Sequence, residues 1–184
     1  MTAITPLELP EVLLITPKRH GDARGWFAET WSEGWMAKAG LIAPFVQDNQ
    51  AFNARVGTVR GLHFQTSPYA QGKLVRVLKG SIYDVSLDVR PGSATHGRWV
   101  AATLTAERGE QLFVPRGFAH GYCTLEPDTE LFYKVDGPYA PGLEGGVAWD
   151  DPDLGIPWPL AGEPVLSDKD RALPRLRDMP AASF

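Results

Sequence analysis

Short runs of alternating apolar and polar residues recur along the chain, and residues that favour turns separate them. Alternation with a period of two is typical of half-buried β-strands. Glycine and proline are plentiful and scattered, and they show no repeat period. The pattern therefore predicts an all-β barrel or sandwich. Ten predicted strands span residues 12–16, 25–30, 45–53, 58–64, 73–78, 81–89, 98–105, 111–114, 119–125 and 130–135.

Three local features complete the predicted organisation. A short helix near residues 32–39 would be capped by Ser32 and end at Gly40. The segment LKGSIYDVSLDV predicts a tight hairpin that turns at Gly80. Residues 137–164 are rich in Gly, Pro and Asp, and they predict an irregular but ordered C-terminal wrap held by Trp149 and Trp158. Because no linker interrupts the pattern, residues 1–184 are interpreted as one domain.

Composition and charge narrow the class of protein. The 184 residues are 43% hydrophobic and 22% charged, which is typical of a folded globular domain, and the apolar runs are too short to span a bilayer. The net charge of −4 argues against nonspecific nucleic-acid binding, but convergent Arg and Lys side chains could hold a small anion. The first residues lack the basic segment of a secretory signal, and the single cysteine, Cys123, cannot form an internal disulfide. These features predict a cytoplasmic location.

His63 is the first candidate for chemistry. Alternation places Gly61, His63 and Gln65 on one face of a strand, and Lys73 begins a row of valines on another. From the residues alone, His63 could be a hydrogen-bonded core histidine, a metal ligand or a base. Lys73 could be a cation at the edge of a barrel interior or a lysine that extends its amine to solvent.

A second histidine follows a recognisable turn. In FVPRGFAHGY the pattern P-x-G-x-x-H delivers His120 onto a strand, and it resembles the second motif of the cupin superfamily. Metal-binding cupins also need H-x-H, but the corresponding segment here reads His63-Phe64-Gln65. With only four histidines in the chain, a three-histidine site is hard to assemble, so no metal is predicted.

Other polar clusters are weaker as single observations. Tyr133 and Tyr139 flank a strand end and could exchange a proton or simply pack. In LSDKD, one aspartate could orient a histidine base, or the segment could be an exposed charged turn. Arg24 and Arg60 could bind a diphosphate.

Taken together and in order, these segments closely resemble the dTDP-4-dehydrorhamnose 3,5-epimerase family, which are deoxysugar epimerases of the cupin superfamily. The motifs are DARGWFAET, QDN, VRGLHFQ, QGKLVRVLKGSIYDV, FVPRGFAHGY, FYKVDGPYAP, WDDPDLGIPWP and LSDKD. The resemblance implies a cupin-type jelly-roll β-barrel and a homodimer that exchanges N-terminal strands. It implies no cofactor and no metal, and a substrate, dTDP-4-dehydro-6-deoxy-D-glucose, that is epimerised at C3 and C5.

The resemblance also implies roles for individual residues. His63 would be the base, Asp170 would orient it, Lys73 would lie by the C4 oxygen of the sugar, and Tyr133 would return a proton on the other face. These roles agree with the chemistry, because removal of a hydrogen beside the C4 ketone gives an enolate that needs a nearby cation. Implied substrate contacts, besides Lys73, are Arg24, Glu29, Gln47, Asp48, Asn49, Arg60, His120, Tyr139, Glu144 and Lys169.

Alternatives remain open at this point. A single-carbon epimerase of the same family would share most of these motifs, and the sequence does not distinguish thymidine from uridine. Two alternatives come from other classes of protein. A non-catalytic sugar-nucleotide binding barrel would bind its ligand without proton exchange. A metal-dependent cupin oxygenase would lose its activity when a chelator is added.

Overall fold

The computed structural model describes residues 2–41 and 44–184, and within these ranges the chain is built mainly of β-strands. Two short helices, α1 (Glu33–Lys38) and α2 (Asp168–Arg171), and a 3₁₀ turn (Leu176–Asp178) accompany them. The strands are β1 (Ala3–Pro6), β2 (Leu13–Thr16), β3 (Arg19–Asp22), β4 (Gly25–Ala28), β5 (Gln47–Asn53), β6 (Val59–Gln65), β7 (Lys73–Lys79), β8 (Ser81–Asp88), β9 (Trp99–Thr105), β10 (Gln111–Val114), β11 (Phe118–Thr124), β12 (Thr129–Val135) and β13 (Glu144–Gly146).

Two antiparallel sheets face each other. The six-stranded sheet has the order β1-β2-β10-β7-β12-β5, and the five-stranded sheet has the order β13-β6-β11-β8-β9, while β3 and β4 form a separate hairpin. Val75 and Leu131 from the first sheet pack with Ile82 and Leu104 from the second in one buried cluster. The predicted all-β fold is confirmed, and its two-sheet form matches the jelly roll expected from the cupin resemblance.

Other segments cover the outer face of the five-stranded sheet and part of the outer face of the six-stranded sheet. Leu154, Trp158 and Leu176 pack against the outer face of the five-stranded sheet, and the Trp158 ring lies edge-on to Tyr83. Trp158 Nε1 donates a hydrogen bond to the Trp149 carbonyl at 2.7 Å. The predicted C-terminal wrap is therefore ordered. The helix α1 covers part of the six-stranded sheet, where Met36 is buried.

Several local predictions differ from the structure. The hairpin predicted at Gly80 is wrong, because β7 pairs with β10 and β12 whereas β8 pairs with β11 and β9. Gly80 instead carries the chain from one sheet to the other with φ of 78°, and a Cβ there would lie 2.4 Å from Thr129 Oγ1. Alternation alone does not say whether consecutive strands pair or cross between sheets.

The sequence pattern also missed short elements. Strands β1, β3 and β13 and the helix α2 have only three or four residues each, too few to show a period. Ser32 precedes α1 as predicted, but its side chain makes no capping hydrogen bond. In the described residues, no helix is long and apolar enough to cross a membrane.

Candidate active site

A cavity of about 700 Å³ opens between the two sheets at one end of the barrel. Strands from both sheets and the segment before α2 form its wall. The predicted site residues that line it are Gln47, Asn49, Arg60, His63, Lys73, His120, Tyr133, Tyr139, Glu144, Lys169 and Asp170. The fold therefore gathers in one place residues that are more than a hundred positions apart in the sequence.

His63 and Asp170 form a close pair in this cavity. His63 Nε2 lies 2.6 Å from Asp170 Oδ1, and Asp170 is almost fully buried. Ser167 Oγ donates to Asp170 Oδ2 at 2.6 Å, and the Gly61 amide donates to Oδ1 at 3.3 Å. Burial would raise the pKa of Asp170, but the contacts with His63 and Ser167 outweigh it and lower the pKa below its usual value. The carboxylate thus stays ionised beside the imidazole.

The ring and carboxylate are close but not aligned as a straight hydrogen bond, because the oxygen lies away from the direction of an Nε2–H bond. Catalytic hydrogen bonds are often poorly aligned before substrate binds. The His63 side chain is 33% exposed, so it can meet a ligand in the cavity. This combination of a buried carboxylate and an accessible imidazole suits a general base.

Gly61 explains how two histidines come together on neighbouring strands. His63 on β6 lies directly opposite His120 on β11. A Cβ on Gly61 would lie 2.6 Å from the His120 carbonyl oxygen and 2.7 Å from Gly121 Cα, and Gly61 has φ of 112°. Only glycine allows this close approach of the two strands. The RGLH motif thus owes its glycine to the packing beneath the site.

Lys73 provides a buried cation. Its side chain is 8% exposed, and its Nζ donates to the His63 carbonyl oxygen at 3.2 Å. Burial lowers the pKa of Lys73 to about 8, although the negative charges of Asp84 and Glu144 oppose the shift. The amine is therefore largely protonated near neutral pH and becomes neutral in mildly alkaline solution.

Tyr133 faces the cavity from the opposite sheet. It lies on β12 of the six-stranded sheet, whereas His63 lies on β6 of the five-stranded sheet. Burial raises the pKa of Tyr133, and the charge of Arg60 partly opposes this. The phenol accordingly keeps its proton at neutral pH. A base and an acid on facing walls are what inversion at a carbon centre requires.

Polar contacts organise the mouth of the cavity. Gln47 Nε2 donates to Asn49 Oδ1 at 2.8 Å, and the Tyr139 amide donates to Gln47 Oε1 at 3.1 Å. Lys169 Nζ lies 2.8 Å from Glu144 Oε2, and Tyr139 Oη donates to the same oxygen at 3.3 Å. The hydrogen bond from Lys169 lowers the pKa of Glu144, although burial opposes it. Lys169 is thus tied to Glu144 at the mouth of the cavity.

Three predicted contacts do not line the cavity. Arg24 is exposed and pairs with Asp22 at 2.6 Å, and Glu29 lies in a separate groove beside β4 and α1. Asp48 points away from the cavity because alternation along β5 turns Gln47 and Asn49 inward, and it pairs with Lys134 at 2.9 Å. Within a single chain, the placement does not support contact between these three residues and a ligand in the cavity.

The sequence reasoning also missed residues at this site. Tyr122 lines the cavity, and its hydroxyl donates to Asn53 Oδ1, which also accepts from Arg60 Nε at 2.9 Å. Burial raises the pKa of Tyr122 to about 12. Asp84, fully buried, contacts His120. Inward alternation from His120 to Tyr122 could have indicated the tyrosine, but nothing local marks Asp84 or Asn53.

In the described residues, no group of three or more His, Cys, Asp and Glu side chains is arranged to hold a metal ion.

Known proteins are similar to this chain over most of its length. A family model described as dTDP-4-dehydrorhamnose 3,5-epimerase matches residues 6–178. The dTDP-4-dehydrorhamnose 3,5-epimerase of Sinorhizobium fredii is 50% identical over 176 residues, which are 96% of this chain and 90% of the relative. A fold of two facing antiparallel sheets around a His–Asp, Lys and Tyr cavity defines a sugar epimerase of the cupin type. The chain is a member of the dTDP-4-dehydrorhamnose 3,5-epimerase family.

Solved structures are similar over almost the whole chain. The dTDP-6-deoxy-D-glucose-3,5-epimerase of Legionella pneumophila, in complex with dTDP-4-keto-L-rhamnose, is 39% identical with a TM-score of 0.93, covering 97% of this chain and 94% of that one. ChmJ, a 3'-monoepimerase from Streptomyces bikiniensis in complex with dTDP-quinovose, is 36% identical with a TM-score of 0.86, covering 94% and 87%. Both double and single epimerases thus share this architecture.

Proposed function

We propose that this protein inverts C3 and C5 of dTDP-4-dehydro-6-deoxy-D-glucose to give dTDP-4-dehydro-L-rhamnose. One observation carries the proposal: His63, paired with the buried Asp170, and Tyr133 line the same cavity from opposite sheets. A sugar ring between them would present one face to a base and the other face to an acid.

The chemistry follows from the position of the ketone. His63 takes a proton from C3 or C5, and the bonding electrons move to the C4 oxygen to form an enolate. Lys73, protonated and buried, stabilises the negative charge on that oxygen. Tyr133 donates its proton to the same carbon from the opposite face, which inverts the centre. Exchange with solvent then restores the phenol of Tyr133 and the neutral imidazole of His63.

Asp170 supports the base in two ways. Its carboxylate stabilises the imidazolium that forms when His63 takes the proton, and its contact at Nε2 orients the ring. Ser167 and the Gly61 amide hold the carboxylate in place. The proposed mechanism therefore assigns a role to the LSDKD segment that the sequence could not separate from an exposed turn.

We further propose that the active form is a homodimer in which the hairpin β3–β4 of each chain brings Arg24 and Glu29 to the cavity of its partner. Two observations support this. Trp26 and Phe27 on that hairpin are 58% and 71% exposed, and an open groove next to it is lined by apolar side chains such as Ile4 and Trp35 as well as by charged ones. Analytical ultracentrifugation would test it: a monomer that is fully active would contradict the proposal.

The proposed location is the cytoplasm. Cys123 is a buried free thiol, which suits a cytoplasmic enzyme.

Isotope exchange tests the reaction itself. The enzyme is incubated with dTDP-4-dehydro-6-deoxy-D-glucose in deuterated buffer containing EDTA, and NMR follows the signals at C3 and C5. We expect deuterium at both carbons and, after reduction, an L-sugar. Deuterium only at C3 would instead assign the single-carbon activity named for ChmJ, which shares the fold at 36% identity. Binding without exchange at either carbon would contradict any epimerase function.

A further inference from the structure

His120 and Asp84 form a second histidine–carboxylate pair in the barrel, apart from His63 and Asp170. His120 Nε2 lies 2.8 Å from Asp84 Oδ1 and 3.0 Å from Oδ2. The Asp84 side chain is fully buried and His120 is 8% exposed. Both carboxylate oxygens therefore face a single ring nitrogen, and that nitrogen carries a hydrogen whenever Asp84 is ionised.

The sheet register places this pair on the inner surface of the barrel. On the paired strands β11 and β8, His120 lies opposite Ser86 and Tyr122 lies opposite Asp84, so His120 and Asp84 are diagonal neighbours. His120 lines the cavity, whereas Asp84 lies behind it and does not. Asp84 can therefore influence a ligand through the imidazole without touching the ligand.

The carboxylate of Asp84 also acts on a second group in the cavity. Lys73 is close enough to Asp84 and Glu144 for both carboxylates to stabilise its charged form. With its hydrogen directed at Asp84, the ring keeps a lone pair on its other nitrogen, Nδ1, and His120 lines the cavity. A lone pair accepts hydrogen bonds from hydroxyl groups and repels phosphate oxygens, which are acceptors themselves.

We propose that Asp84 is a positioning residue that holds His120 with its hydrogen on Nε2, so that Nδ1 accepts a hydrogen bond from a hydroxyl group of the bound sugar. This proposal rests on the proposed function in one respect, that the ligand carries a sugar. It assigns His120 to the sugar rather than to the diphosphate. The pair of His120 and Asp84 would then bind the substrate, whereas the pair of His63 and Asp170 would carry out the proton transfer.

The hydrogen position can be read in the unmodified protein. Long-range ¹H–¹⁵N correlation spectra of ¹⁵N-labelled protein at pH 8 distinguish a protonated ring nitrogen from an unprotonated one, and His120→Asn identifies the His120 signals by their loss. We expect a protonated Nε2 and an unprotonated Nδ1. A hydrogen on Nδ1 would overturn the proposal. Because this measurement needs no turnover, it remains decisive even when the proposed epimerase activity fails.

Kinetics test whether Asp84 acts through His120. In Asp84→Asn the amide can donate to Nε2 and move the ring hydrogen to Nδ1, so the sugar hydroxyl loses its acceptor. The lost hydrogen bond exists in both ground and transition states, so we expect KM to rise by about tenfold and kcat to change by less than about threefold. In the His120→Asn background the same substitution should change KM by less than about twofold. An equal increase in both backgrounds would overturn the proposal.

Ser86→Ala is the matched control. Ser86 lies on β8, directly opposite His120, and its buried Oγ has no hydrogen-bond partner among residues 2–41 and 44–184. Its removal perturbs the same region of the barrel without changing the contact to His120, so we expect KM to stay within about twofold of the unmodified protein. An increase as large as that in Asp84→Asn would assign the effect to barrel packing and contradict the proposal.

Discussion

The pair of His63 and Asp170 offers the sharpest test of the mechanism. Asp170→Asn removes the negative charge but keeps the shape of the side chain. In the structure, the carboxylate lies 2.6 Å from His63 Nε2, and Asp170 is 4% exposed, so water does not replace the lost charge on that side of the ring. The perturbation is therefore the loss of one buried charge beside the imidazolium that forms during proton abstraction.

The magnitude follows from this geometry. A hydrogen bond to a charged group contributes about 1.5–3 kcal/mol. The burial of Asp170 favours the upper part of that range, but His63 is 33% exposed and solvent can partly stabilise the imidazolium. A loss of about 2–3 kcal/mol in the transition state corresponds to a decrease in kcat of about 30–150-fold. Because the charge matters after substrate binds, KM should change little.

The assay is the initial rate of L-sugar formation, measured with a reductase that traps the product, together with thermal unfolding of each variant. Asp168→Asn is the matched control, because Asp168 is an exposed aspartate in the same short helix α2. We expect the control to keep its kcat within about twofold. A decrease in kcat of less than about threefold for Asp170→Asn, or an equal decrease for the control, would refute the role of Asp170.

Three further predictions concern other parts of the site. Tyr133→Phe should reduce net inversion by more than about tenfold while deuterium exchange from the His63 side continues; equal loss of inversion and exchange, measured by NMR, would remove Tyr133 as the proton donor. The pKa of Lys73, lowered to about 8 by burial, predicts that kcat/KM falls as pH rises through about 8, because the neutral amine no longer stabilises the enolate; Lys73→Arg should keep its activity to higher pH, and a profile identical to that of the unmodified enzyme would contradict the assignment. Arg60→Ala should raise KM by about tenfold with little effect on kcat, because its guanidinium, held by Asn53, is proposed to bind the substrate in ground and transition states alike; an unchanged KM would exclude Arg60 from binding.

The site could be predicted from the sequence to the extent that its residues lie in distinctive motifs. His63 in VRGLHFQ, Lys73 in QGK and Asp170 in LSDKD are marked by their neighbours, and the cavity brings all three together. Asp84 and Asn53 carry no such mark. Their importance comes from contacts with His120 and Arg60, and contacts between strands far apart in sequence are decided only when the sheets form.

The prediction that Asp48 contacts the substrate is not supported, because the sequence motif alone does not show which of its side chains enter the cavity. QDN was expected to contribute all three side chains, but a strand alternates between its two faces. Gln47 and Asn49 turn into the cavity, so Asp48 must turn away, where it meets Lys134. Arg24 and Glu29 lie outside the cavity for a different reason, since Arg24 lies in the turn of the β3–β4 hairpin and Glu29 lies directly after it, and neither is part of the strands that form the cavity wall.

The amino-acid sequence by itself determined the all-β class, the inward row that begins at Lys73, and the motifs that carry the proposed base and its carboxylate, because each depends on neighbours within a few residues. Only the tertiary structure decided that β7 and β8 belong to different sheets, that His63 and Tyr133 face each other across one cavity, and that Asp84 lies behind His120. The physical reason is that strand pairing and burial join distant segments. Local alternation determines which face of a strand a side chain lies on, but it does not determine which side chains of other strands it contacts there.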